Sequence, residues 1–150
     1  ILAQVISVFP QEMNGDLVMF KEQFDGKIQS GVNALIIRTL PNTLTKKQIN
    51  YSSTNPSYVD VEATKYIRDE GIDHLLIDLP SVDREEDGGK LVSHHAFWEY
   101  PENTQKHRTI TELIYVPEEV SDGKYLLNIQ TAPFENDATP SCPILYPIIE

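Results

Sequence analysis

The chain is poor in several things at once, and each shortage removes a class of function. It has a single cysteine, Cys142, in 150 residues. No disulfide closes within it, which fits a reducing compartment and leads to the expectation of a cytoplasmic protein. Basic residues are scarce: 12 against 23 acidic ones, for a formal net charge of −11. A nucleic-acid binder needs a basic footprint to neutralise phosphates. Lys46-Lys47 is the only basic doublet here, so nucleic acid is excluded as a partner and an anionic membrane is disfavoured. No apolar stretch approaches the ~20 residues that span a bilayer, and no secretory signal pattern is visible. The G-x-S-x-G nucleophile turn, the H-E-x-x-H zinc motif and a Gly-rich phosphate loop after a strand are all missing.

What remains is ordinary for a soluble globular chain: 40% hydrophobic and 23% charged residues. The length suits one domain over 1–150, large enough to bury roughly 70% of its unfolded surface without staples. The chain opens at Ile1 rather than Met, inside a strand-like run. It is therefore read as the C-terminal portion of a longer polypeptide.

Apolar patterning gives a mixed α/β class. Ile1 to Phe9 reads as a strand ended by Pro10. Residues 16–29 fit a short helix face through Val18, Phe20 and Phe24, interrupted at Gly26. Asn33 to Thr39 is a near-continuous apolar run, as in a strand covered on both faces. After a polar loop, Val59, Ala63, Tyr66 and Ile67 recur at helical spacing over 58–70, with Ser57 as N-cap and Gly71 just past the end. Asp73 to Leu79 is a second buried strand, completing a strand–helix–strand unit. Ile110 to Val116 and Tyr125 to Thr131 read as short strands. Cys142 to Ile149 reads as a final strand, placed at an edge by Pro143 and Pro147. One core is expected, with Cys142 structural within that last strand.

Four histidines are candidates for chemistry. His74 lies in a strand pattern and reads as a satisfied structural histidine. His107 stands between Lys106 and Arg108, where like charge disfavours a metal. His94-His95 opens the short apolar piece Ala96-Phe97-Trp98. Neighbouring residues on a helix point in different directions, so only one of the pair can face a given site. On pattern alone, a helix start with aromatic packing accounts for both. Among the carboxylates, Glu112 stands out between Ile110 and Leu113-Ile114-Tyr115-Val116. A carboxylate in apolar surroundings must be paired, protonated or metal-bound.

Several segments match one family in order. Arg38-Thr39 follows the strand Ala34-Leu35-Ile36-Ile37. Asp78-Leu79-Pro80-Ser81-Val82-Asp83 resembles a D-x-P-S-x-D segment. Leu91-Val92-Ser93-His94-His95, then Ile110-Thr111-Glu112-Leu113, a Tyr125-Leu126-Leu127 strand and the closing Asp137-Ala138-Thr139-Pro140 follow. This ordered set, over about residues 33–148, resembles cyclase-family metal-dependent hydrolases, which include bacterial kynurenine formamidases.

The resemblance implies a swivelling β/β/α fold, a homodimer or larger homo-oligomer, and a divalent metal, zinc or else manganese. It implies hydrolysis of a small-molecule amide, as in N-formylkynurenine to kynurenine and formate during tryptophan catabolism. His94 and Glu112 are the implied metal ligands. Asp78, Ser81, Asp83 and His95 are implied beside the site, with Asp83 orienting a ligand. Trp98 and Tyr100 are candidates to line an aromatic pocket. The family's H-x-x-x-H-x-D motif, which supplies the other ligands, is not in this sequence, and the 150 residues alone are expected not to catalyse. Eighteen positions separate His94 from Glu112, against about a dozen in the family. That spacing leaves open His95 as the ligand instead. Two other activities stay open: another cyclic amide or lactone as substrate, and a metal-free homologue that only binds or assembles.

Overall fold

The computed structural model describes residues 1–149. Among these, the regular elements are β1 (Leu2–Val8), β2 (Gln11–Met13), β3 (Asp16–Met19), β4 (Ala34–Thr39), β5 (Tyr58–Val59), α1 (Val61–Asp69), β6 (His74–Ile77), α2 (Val92–Trp98), β7 (Thr109–Thr111), β8 (Gly123–Asn128) and β9 (Ile144–Pro147). Six strands form the main sheet in the order β7-β6-β4-β1-β8-β9. The first four run parallel, in register Ala3↔Ala34, Ala34↔His74 and His74↔Thr109. β8 and β9 close one side as an antiparallel hairpin. A smaller sheet, β2-β3-β5, lies apart from it.

The parallel strands are apolar at successive positions because both faces of the sheet are covered. β4 is buried along its whole length. Leu35 and Ile37 point to one face, where they meet Ala63 and Ile67 of α1 together with Phe24, Val59 and Phe97. Ala34 and Ile36 point to the other, with Ala3, Val5, Leu76, Val116 and Leu127. The single core expected from the sequence is thus two clusters, one on each side of the sheet.

Several boundaries move. Helix α1 begins at Val61, and its N-cap is Asp60 rather than Ser57: the Asp60 carboxylate accepts the Glu62 N–H. Val59 belongs to β5, where Tyr58-Val59 pairs with Val18-Met19. The 16–29 stretch is strand β3 followed by a 3₁₀ turn at Lys21–Gln23. The spacing of Val18, Phe20 and Phe24 mimics a helix face only by accident of this turn. Gly71 has φ +87°, the left-handed conformation expected after a helix. β9 is an edge strand as expected, but it starts at Ile144. Cys142 lies before it and is exposed, so it is no part of a packed strand.

Two buried charges tie loops to the carboxyl ends of the parallel strands. The Asp78 side chain, fully buried, accepts the Thr39 N–H and Oγ–H and the Lys46 ammonium at 2.8 Å. Arg38 donates to Ser7 Oγ, to the carbonyls of Pro117 and Val120, and to Asp122. It therefore holds the 117–122 segment against the end of the sheet. Losing one partner of a buried pair strands the other charge. Asp78→Ala is expected to cost roughly 3–5 kcal/mol in urea denaturation. A loss below about 1 kcal/mol, the range of a surface pair, would show that Lys46 is solvated instead.

Candidate active site

The site is assembled by the loop that leaves β6. Val82 is fully buried in the core, and its carbonyl accepts the Val59 N–H, which fixes the loop against β5. Ser81 Oγ accepts the Asp83 N–H, a local turn that presents the Asp83 side chain inward. That carboxylate, almost wholly buried, accepts three hydrogen bonds. Two come from the backbone N–H groups of Ser93 and His94, at 2.7 and 3.1 Å. The third joins His94 Nδ1 at 2.7 Å.

Helix α2 needs this help. Its N-cap position is Leu91, which has no side chain able to cap, so its first N–H groups would otherwise be orphaned. Asp83 caps the helix from eight residues upstream and orients the imidazole with the same group. With Nδ1 held by a carboxylate, Nε2 faces outward.

Nε2 points at Glu112. The His94 Nε2 to Glu112 Oε1 distance is 3.4 Å. Glu112 directly follows β7, and its Oε1 also accepts the Val82 N–H. One loop therefore holds both partners: the Asp83 side chain fixes His94 and the Val82 backbone fixes Glu112. The long separation of the two in sequence is absorbed at the surface. The chain from Glu99 to His107 folds back on α2 through Gln105 N–H to the Trp98 carbonyl. Arg108 then anchors the return on Glu99 and the Phe97 carbonyl.

Charges set the ionisation. Burial disfavours the charged form of His94, but the hydrogen bonds and charges of Asp83 and Glu112 overcome it and raise its pKa to about 9. Burial also pushes the Asp83 carboxyl up. Its bonds from the His94 ring and from the two backbone N–H groups outweigh that and hold it below the usual range.

The other expected residues sort by position. Trp98 packs on the His94 ring, centroids 5.2 Å apart, and both line a cavity of about 1020 Å³ on the second face of the sheet. His95 and Tyr100 do not join it. Their rings pack together at 4.7 Å over a separate depression beside α1, because His95 leaves the short helix in another direction. Asp78 sits with Lys46 and Thr39 in its own buried cluster. His74 Nδ1 meets Thr109 Oγ1, and His107 Nε2 meets Asp73; neither borders the cavity. The Val82 N–H on Glu112 and the Lys46–Asp78 pair were not found from sequence. A backbone donor leaves no mark on composition, and the only sign of the second is a lysine in the polar loop after β4.

Among the described residues, no group of three or more His, Cys, Asp or Glu is placed to hold a metal ion. The donors present fit a metal as a pair. Two ligand atoms about 2.0–2.2 Å from one tetrahedral ion stand roughly 3.4 Å apart, the spacing seen between His94 Nε2 and Glu112 Oε1.

No family model and no curated protein matches the sequence. Solved structures do match the fold. One, of a predicted metal-dependent hydrolase from Bacillus stearothermophilus, superposes with a TM-score of 0.68 at 17% identity. Another, of a potential metal-dependent hydrolase with cyclase activity, does so with a TM-score of 0.66 at 16% identity. Each covers 96% of this chain, which spans only 62% and 63% of theirs. At these identities the likeness shows the fold alone: the mixed α/β architecture expected from the sequence is the one observed, and it is shared with these two structures. No helix among the described residues is long and apolar enough to cross a membrane.

A raised histidine pKa is also a statement about stability. The folded value of about 9 lies above the ordinary 6.5. The His94 contribution is therefore complete below about pH 6.5 and is lost as pH rises through 9. In metal-free protein, NMR titration should give His94 a midpoint near 9, and Asp83→Asn should lower it. A midpoint at the ordinary value in the native chain would contradict the Asp83–His94–Glu112 geometry.

Proposed function

We propose that this chain carries part of the active site of a metal-dependent hydrolase that cleaves an amide bond, an aryl formamide of the N-formylkynurenine type being the substrate that the sequence resemblance implies. The observation that supports this most is the His94–Glu112 pair, with Nε2 set at metal-ligand spacing from the carboxylate and Nδ1 held by Asp83. The descriptions of both similar structures as metal-dependent hydrolases agree with it.

In this reading His94 Nε2 and one Glu112 oxygen would hold a zinc or manganese ion. Zinc takes three or four protein ligands, so others must complete the centre; the resemblance assigns them to an H-x-x-x-H-x-D motif outside these 150 residues. When bound, such an ion lowers the pKa of its water toward ~7 and polarises a carbonyl. The chain's own groups act around that chemistry. Asp83 fixes the ring so that Nε2 stays aimed at the site. The Val82 N–H keeps the Glu112 carboxylate in place. Trp98 shields one side of His94 from water. In the same reading a second copy pairs along the free edge of β9, whose outer N–H and C=O groups have no strand partner among the described residues.

Metal titration of the complete protein tests the centre. His94→Ala and Glu112→Ala should each abolish stoichiometric zinc or manganese binding, and Asp83→Asn should weaken it roughly 10–100-fold. His95→Ala should leave it unchanged; loss on that substitution alone would reassign the ligand. Hydrolysis of N-formylkynurenine against a panel of amides and lactones decides the substrate. A protein that takes up no metal, and stays inactive with added zinc and manganese, would leave a binding role in place of the enzyme.

A further inference from the structure

We propose that Ser93 is a positioning residue for the His94–Glu112 pair, and that it works by fastening the first turn of α2 to the backbone of the smaller sheet. The proposal rests on the hydrolase reading above and adds to it the element that sets the separation of the two donor atoms. Asp83 orients the imidazole, but a carboxylate on a side chain is a hinge about which α2 is free to swing, carrying His94 with it. A second attachment, to a part of the chain that does not turn, removes that freedom.

Ser93 supplies it. Its N–H donates to Asp83 at 2.7 Å, and its hydroxyl donates to the Val59 carbonyl at 2.9 Å, across 34 positions of sequence. A serine in a helix commonly bonds to backbone nearby in its own segment. Here β5 offers an acceptor instead. It is an edge of the smaller sheet. On its inner side, the Met19 carbonyl of β3 accepts the Asp60 N–H. The Val59 N–H and C=O serve the outer side, where no strand of the described residues pairs with them. The N–H goes to the Val82 carbonyl at 3.0 Å, and the C=O takes the Ser93 hydroxyl.

These bonds close a ring. Glu112 accepts the Val82 N–H. The Val82 carbonyl accepts the Val59 N–H, and the Val59 carbonyl accepts the Ser93 hydroxyl. The next residue, His94, faces Glu112 at 3.4 Å. Val59, Val82 and Ser93 are all buried, so the two bonds on Val59 form where the surroundings strengthen them. Both donor residues are thereby referred to one strand residue, Val59. Without the hydroxyl the Val59 carbonyl has no donor, and the ring opens.

Zinc affinity of the complete protein is measured by competition with a chelator for Ser93→Ala and Thr64→Val. Thr64 is the control. It is buried as Ser93 is, and its hydroxyl donates to the Asp60 carbonyl at 3.1 Å, within the start of α1 and outside the ring. Both substitutions should lower stability in urea. Only Ser93→Ala should weaken zinc binding, by roughly tenfold or more. A second arm uses the native protein and does not depend on how Ser93→Ala folds. Zinc should slow hydrogen exchange at the Val59 and Val82 N–H groups more than at the Thr64 N–H, which is bonded to Asp60, because joining His94 to Glu112 makes local opening of the ring rarer. Unchanged zinc affinity in Ser93→Ala, an equal loss in Thr64→Val, or equal slowing at all of these amides would overturn the proposal. Native protein that takes up neither zinc nor manganese would remove the hydrolase reading itself, and the positioning role with it.

Discussion

Most of what is specific to this molecule depends on one carboxylate accepting three N–H groups. Asp83 is buried, so it must be satisfied or neutralised. It is satisfied by the first turn of α2 and by the His94 ring. Because those partners are a helix end and a side chain one turn in, the bond that stabilises the helix also sets the rotamer of the histidine. Had Asp83 been exposed, α2 would lack a cap and His94 would be free to turn toward solvent. The loop bearing Asp83 is in turn locked by Val82, which fills the core, bonds to β5 and donates to Glu112. Fold and site thus share one short segment, Pro80 to Asp83, at the carboxyl end of β6.

Placement at the carboxyl ends of parallel strands is no accident of this chain. In open α/β sheets the loops leaving those ends are exposed and free to vary, while the strands below stay rigid. Here β4, β6 and β7 each deliver polar groups to that end: Arg38 and Thr39, Asp78 and Asp83, and Glu112. The Arg38 and Asp78 clusters spend their charge on holding loops. The His94–Glu112 pair instead borders the cavity.

The sequence revealed the elements whose burial is one-sided or complete and missed those set by turns. The runs at β1, β4 and β6 were legible because an apolar strand covered on both faces has a plain signature. Helix α1 was legible in its middle but not at its start: Asp60 and Ser57 are both good caps, and only the pairing of Tyr58-Val59 with β3 decides between them. At the site, Asp83, His94 and Glu112 were named from an ordered resemblance. Their geometry was not legible, since eighteen positions separate the last two and a surface excursion has no periodicity. The choice between His94 and His95 turns on the direction each leaves a seven-residue helix, which the Asp83 contact fixes.

Anomalous diffraction from crystals of the complete protein soaked in zinc or manganese tests the central claim most directly. The account predicts a peak bonded to His94 Nε2 and to a Glu112 oxygen at about 2.0–2.2 Å, with Asp83 still on Nδ1. A peak on His95, or none between His94 and Glu112, would contradict it.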